Sequence, residues 1–267
     1  MPQLVALDLD GTLLDHQGGL PAAHARTVAE LLAAGVQVAL VTGRPLLTAR
    51  WVHRALNLRT PLVCFNGGWV GYPECAPLAA SVLEEAEVRE VVAALVDQGG
   101  TICCYPRADE WLVDEETSHT AHWRERYDTQ ITLDRARIHD WRGSSCKIMF
   151  VAVPERLSAV ARRLQVRFAG RYHVVVSQDD RCEISRVGIT KEWGLSRLAA
   201  HLGVAREQIW AVGDAANDAE MITWAGHGCA MGDAPERLRG LARHVLPSAS
   251  ARGLCVLPGL LARFADG

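Results

Sequence analysis

Leu4-Val5-Ala6-Leu7-Asp8-Leu9-Asp10-Gly11-Thr12 carries the strongest signal of architecture in the chain. Its first residues form a short apolar run without polar alternation, the pattern of a strand buried on both faces, and such strands belong to parallel sheets. The run stops at two aspartates and a glycine. Ionisable side chains therefore gather where the strand ends, at the edge on which open α/β sheets place their ligands. Outward from this stretch, apolar residues at helical spacing predict a helix over 22–34, ended by Gly35, and a second strand over 36–41. A helix over 46–57 and a strand over 62–65 follow, closed by the turn signal Asn66-Gly67-Gly68.

The same alternation returns near the C-terminus. Helices are expected over 191–201, 219–225 and 235–242, and strands over 209–212, 229–231 and 244–246. Together the two halves predict one α/β core built on a doubly wound parallel sheet, residues 1–80 plus 187–267. The intervening residues 81–186 have an order of their own. A helix over 84–98, strands near 101–105 and 111–113, an irregular polar region, a strand over 147–153, a helix over 155–168 and strands near 172–177 and 182–184 predict a smaller inserted α/β domain.

Composition narrows the function classes. A net charge of −3 over 267 residues, with Lys and Arg scattered rather than striped, gives no field to hold a polyanion, so nucleic acid is not the expected partner. The N-terminal apolar run has no basic flank and is broken by Asp8 and Asp10, which fits neither a signal peptide nor a membrane span. The expected location is the cytoplasm. Eight cysteines lie dispersed without a C-x-x-C pair and read as reduced thiols.

Four motifs occur in a fixed order: Asp8-x-Asp10-Gly11-Thr12, Thr42-Gly43-Arg44, Lys191, and Gly213-Asp214-Ala215-Ala216-Asn217-Asp218. In this combination the chain closely resembles the haloacid dehalogenase superfamily, over roughly residues 1–72 and 183–246. The spacing resembles one branch in particular. About 30 residues between Asp10 and Thr42 leave no room for an inserted domain, whereas the long interval between Arg44 and Lys191 does. This is the arrangement of the type 2 capped, Cof-like phosphatases, with a Rossmann-like core and an α/β cap (C2 type). Cys229-Ala230-Met231-Gly232 and Asn217-Asp218-x-x-Met221 resemble that group too. Two departures are Gly232-Asp233-Ala234, where the family often has Gly-Asn-Ala, and Ala251-Arg252-Gly253-Leu254 in place of an Asp-Gly-Val tail.

The resemblance implies a role for each matching residue. Phosphoryl transfer needs a placed nucleophile, a metal and several donors around the spreading charge. Asp8 would be the nucleophile and Asp10 the general acid and base. Asp8, the backbone carbonyl of Asp10, and Asp214 would hold Mg2+, a cation that prefers oxygen ligands. Thr42, Gly43, Lys191 and Asn217 would bind phosphate, Arg44 the substrate or its phosphate, and Asp218 would orient Lys191 or a metal-bound water.

The function so implied is a magnesium-dependent phosphatase of small phosphorylated metabolites, sugar phosphates foremost, working through an aspartyl-phosphate as a monomer or homodimer. A phosphomutase and a catalytically silent binding protein are the alternatives. Substrate choice is assigned to the inserted domain, where Trp111, Trp123 and Trp141, with Arg107, His119 and His122, are candidate pocket residues or simply core. His119 and His122, near Glu115 and Glu116, read as a solvated helix face rather than a metal site.

Overall fold

Residues 3–127 and 130–264 are described by the structure, a computed structural model. The chain forms two compact units. One comprises Met1–Arg44, Ala49–Ala79 and Thr190–Gly267, the other Pro45–Thr48 and Ala80–Ile189.

In the first unit five parallel strands lie in the order His244–Val245, His227–Ala230, Ile209–Gly213, Leu4–Leu7, Gln37–Leu40. A parallel bridge between Val41 and Val63 joins the strand Leu62–Cys64 to this edge. The central strands are apolar throughout because both faces are covered. Leu4, Ala6, Ala39, Ile209 and Ala211 pack with Leu195 and Leu198 of the helix Lys191–Leu202 and with Met221 and Ile222 of the helix Ala219–Trp224. The alternate set, Val5, Leu7, Val38 and Leu40, is equally buried on the opposite face.

Register does the positioning. Leu7 pairs with Val212 on one side and Leu40 on the other. Because all three strands run the same way, the residues that follow them, near Asp8, Asp214 and Thr42, emerge at one edge although up to 206 positions apart in sequence.

The second unit is built on a six-stranded sheet, ordered Tyr172–Gln178, Arg181–Arg186, Ile148–Val151, Thr101–Arg107, Glu110–Val113, Thr132–Leu133. Its pairs are antiparallel apart from the last, which is parallel. Alternate residues of the strands, including Ile102, Cys104, Leu112, Ile148, Phe150, Cys182 and Ile184, form a core with Val88, Val91 and Leu95 of the helix Glu85–Leu95 and with Leu157, Val160 and Leu164 of the helix Pro154–Arg167.

The region read as irregular, apart from the helix face expected at His119 and His122, contains two helices, Ser118–Tyr127 and Arg135–His139, and the short strand Thr132–Leu133. Periodicity failed there for a physical reason: the first of these helices buries only Thr120 and Trp123, so it carries almost no apolar stripe. The sequence reading also overlooked the strand Trp69–Gly71 and the helix Leu257–Ala262. Among the described residues no helix is long and apolar enough to cross a membrane.

Candidate active site

Asp8 follows directly on the first strand and is buried, as is Lys191 at the start of the helix Lys191–Leu202. Thr190 starts that helix by accepting from the N–H of Trp193, which fixes where Lys191 leaves the backbone. Lys191 Nζ donates to Asp8 Oδ1 and to Asp218 Oδ1, each at 2.6 Å. Asp218 is itself held by the backbone: its Oδ2 accepts from the N–H groups of Asp214 and Ala215, at 3.0 and 2.9 Å. One carboxylate thus secures both the lysine and the loop that carries Asp214.

Asp214 completes the cluster. Its Oδ1 accepts from the Thr12 hydroxyl at 2.8 Å, and Thr12 is fully buried. Gly11 has φ +82°, and a side chain there would sit 2.4 Å from Asp214 Oδ2. Only glycine lets the aspartate loop turn in the left-handed region while Asp214 passes so close. Asp8, Asp214 and Asp218 each offer an oxygen within 4.8 Å of the others, and no other group of three acids, histidines or cysteines among the described residues does so.

Electrostatics describe a site short of positive charge. Burial pushes the Asp8 carboxyl well above the ordinary range; Lys191 opposes this, and Asp218 and Asp214 add to it. Burial also raises Asp214, against the Thr12 hydrogen bond and with Asp218. For Lys191 burial works downward, but Asp218 and Asp8 outweigh it and the ammonium is held above its ordinary value. Three clustered carboxylates and one ammonium leave excess negative charge. A hard oxygen donor set of this kind fits a divalent cation.

The remaining predicted residues lie around this cluster with different partners. Asp10 is exposed, and its carboxylate is held by the Arg44 guanidinium, Nε to Oδ2 at 2.7 Å and Nη2 to Oδ1 at 2.5 Å. Arg44, expected to face substrate, therefore grips the proposed general acid in this structure. The Thr42 hydroxyl accepts from the N–H of Arg44 at 3.1 Å, which shapes the 42–44 turn. Asn217 is exposed and donates through Nδ2 to Asn66 Oδ1 at 2.9 Å. Asn66 is a residue that motif reading missed. Its signal was the Asn-Gly-Gly turn at the end of a predicted strand, an edge already carrying Asp8 and Thr42.

The tryptophans weighed as pocket residues are packed. Trp141 belongs to the second unit's core, and Trp111 packs between Tyr105 and Trp123, rings tilted, with centroid distances of 5.3 and 5.0 Å. His119 faces Asp180 at 3.4 Å, and Arg107 is exposed beside Asp109.

This geometry can be set beside known proteins. Residues 5–256 match the model of the haloacid dehalogenase-like hydrolase family. The chain is 32% identical over 243 residues to the HMP-PP phosphatase of Cronobacter sakazakii, covering 89% of this chain and 87% of that one. It is 29% identical over 264 residues to the 5-amino-6-(5-phospho-D-ribitylamino)uracil phosphatase of Bacillus subtilis, covering 90% of each. The crystal structure of a haloacid dehalogenase-like hydrolase from Bacteroides thetaiotaomicron superposes with a TM-score of 0.90 at 23% identity, over 98% of this chain and 100% of that one.

The chain belongs to the haloacid dehalogenase-like hydrolase family. It is an enzyme of the family's phosphatase branch.

Proposed function

We propose that the chain hydrolyses small phosphorylated metabolites in the presence of Mg2+, passing the phosphoryl group through Asp8. The observation that carries this reading is the buried Asp8, held by Lys191 at 2.6 Å and adjoined by Asp214 and Asp218. A carboxylate so placed can attack phosphorus: a bond forms from the Asp8 oxygen to phosphorus as the bond to the leaving oxygen breaks. Asp10 gives the leaving oxygen its proton. Asp10 then takes a proton from water, whose oxygen attacks phosphorus and releases phosphate from Asp8. For both steps the Asp10–Arg44 pair has to open, which frees Arg44 for the substrate's phosphate.

Asp8, Asp214 and the Asp10 carbonyl are assigned to hold the cation, which when bound would offset phosphate charge as the transition state develops. Lys191 supplies a fixed positive charge against Asp8, and Asp218 keeps it aimed there. Thr42, Gly43 and Asn217 are assigned to the phosphate oxygens. We assign substrate selection to residues 81–186. The substrate class proposed is sugar phosphates and similar small monoesters, with the substrates named for the two relatives as direct candidates. Eight free cysteines suit a reducing compartment, and we place the enzyme in the cytoplasm.

The test is phosphate release from a panel of sugar phosphates, nucleotides, the relatives' substrates and p-nitrophenyl phosphate, with Mg2+ or with chelator, for wild type and Asp8→Asn. Magnesium-dependent release that disappears in Asp8→Asn is the expected result. Release that survives in Asp8→Asn would overturn the role of Asp8.

A further inference from the structure

After the strand Leu62–Cys64 the chain turns through Phe65 and Asn66, both with φ +54°. Left-handed backbone suits asparagine but makes a bulky aromatic an outlier, and such strain persists only where its surroundings over-determine it. The constraint is visible. Phe65 N–H donates to the Arg44 carbonyl at 3.1 Å, and Asn66 N–H donates to the Thr42 carbonyl at 3.0 Å. The strained turn is therefore tied to the chain on both sides of Gly43.

Its consequence lies in the Asn66 side chain. A Cβ on Gly43 would stand only 2.8 Å from Asn66 Oδ1, so glycine is what admits the carboxamide. That same Oδ1 accepts from Asn217 Nδ2. Two residues assigned to phosphate, from motifs more than 170 positions apart, share one neighbour that neither motif contains.

We propose that Asn66 is a positioning residue that aims the Asn217 amide at the substrate's phosphate. The inference rests on the reading of Asn217 as a phosphate ligand. One hydrogen of an amide NH2 bonded to a fixed acceptor sets the plane of the group and the direction of the other hydrogen. Asn217 is exposed and would otherwise be ordered only when the ligand binds. Ordering it during folding removes that cost from binding. The simpler account is that asparagine is present only because the backbone is left-handed, and glycine satisfies that requirement better.

Asn66→Gly therefore separates the two accounts. With Mg2+ present, titration calorimetry of inorganic phosphate should show binding about 2- to 12-fold weaker, the cost of ordering one side chain. KM for p-nitrophenyl phosphate should rise by a similar factor, kcat should change less, and the melting temperature should not fall. The double variant Asn66→Gly/Asn217→Ala should bind phosphate no more weakly than Asn217→Ala alone. Wild-type phosphate affinity in Asn66→Gly would overturn the proposal, as would losses that multiply in the double variant. Wild-type affinity in Asn217→Ala would instead remove the reading of Asn217 on which it rests.

Discussion

Replacing Lys191 with methionine tests the charge balance of the site. Methionine retains most of the unbranched stem and leaves little cavity, so the variant isolates loss of the ammonium. Lys191 is 1% exposed and bonded to two carboxylates at 2.6 Å. Its removal leaves Asp8 and Asp218, both buried, facing Asp214 without a protein cation. Breaking a buried ion pair from one side costs about 3–5 kcal/mol, with the low end applying if Asp8 takes up a proton. At about 2–4 °C per kcal/mol for chains near this size, the melting temperature should fall by about 6–20 °C. Scanning calorimetry in chelator is the assay, because a bound cation would offset the lost charge. Adding Mg2+ should narrow the gap by stabilising the folded variant through binding. The double variant Asp8→Asn/Lys191→Met should recover part of the loss. A Lys191→Met chain melting within about 2 °C of wild type in chelator, well below the loss expected from breaking a buried pair, would refute the argument.

Thr12→Val keeps the shape of a fully buried side chain and removes only the hydrogen bond to Asp214; its magnesium activation constant should rise about 10- to 100-fold, and an unchanged constant would separate Thr12 from metal binding. Thiol chemistry should divide the cysteines. Burial pushes Cys103, Cys146, Cys182 and Cys229 up to about 12, whereas Cys75 and Cys255 are exposed, so a thiol reagent at pH 8 should modify only those two in the native protein. Further labelling before unfolding would contradict this. Trp210 carries His227 and His244 stacked on its ring at 4.3 and 4.9 Å, and burial, reinforced by Arg243, holds both imidazoles below their ordinary value. A depressed histidine contributes stability above its unfolded pKa, about 6.5, that is lost as pH falls through the folded value. Melting temperature should therefore drop from pH 7 towards pH 5, and His244→Phe should show a shallower drop; equal slopes would exclude this pair as a source.

The apolar run Leu4–Leu7, ending at Asp8, was enough to predict a parallel α/β core, because a strand buried on both faces must be apolar throughout and its chemistry must wait for its end. Asp8, Thr42 and Asp214 were legible for the same reason: each closes an apolar run. The roles proposed for them rest on the order of the motifs rather than on periodicity. The helix Ser118–Tyr127 was legible only at His119 and His122, read as a helix face; its extent was not, because it buries too few apolar residues to show a period.

Partnerships between side chains distant in sequence emerged only from the packed chain. Sequence gave Lys191 a role but not its bonds to both Asp8 and Asp218; it gave Arg44 and Asp10 separate roles but not their ion pair. Asn66 was visible as a turn former, and its contact with Asn217 was not, since they are 151 positions apart. Local sequence determines where a strand ends, because burial and backbone geometry act on neighbouring residues. Which strand ends meet depends on sheet order and register, and these are properties of the whole packed chain.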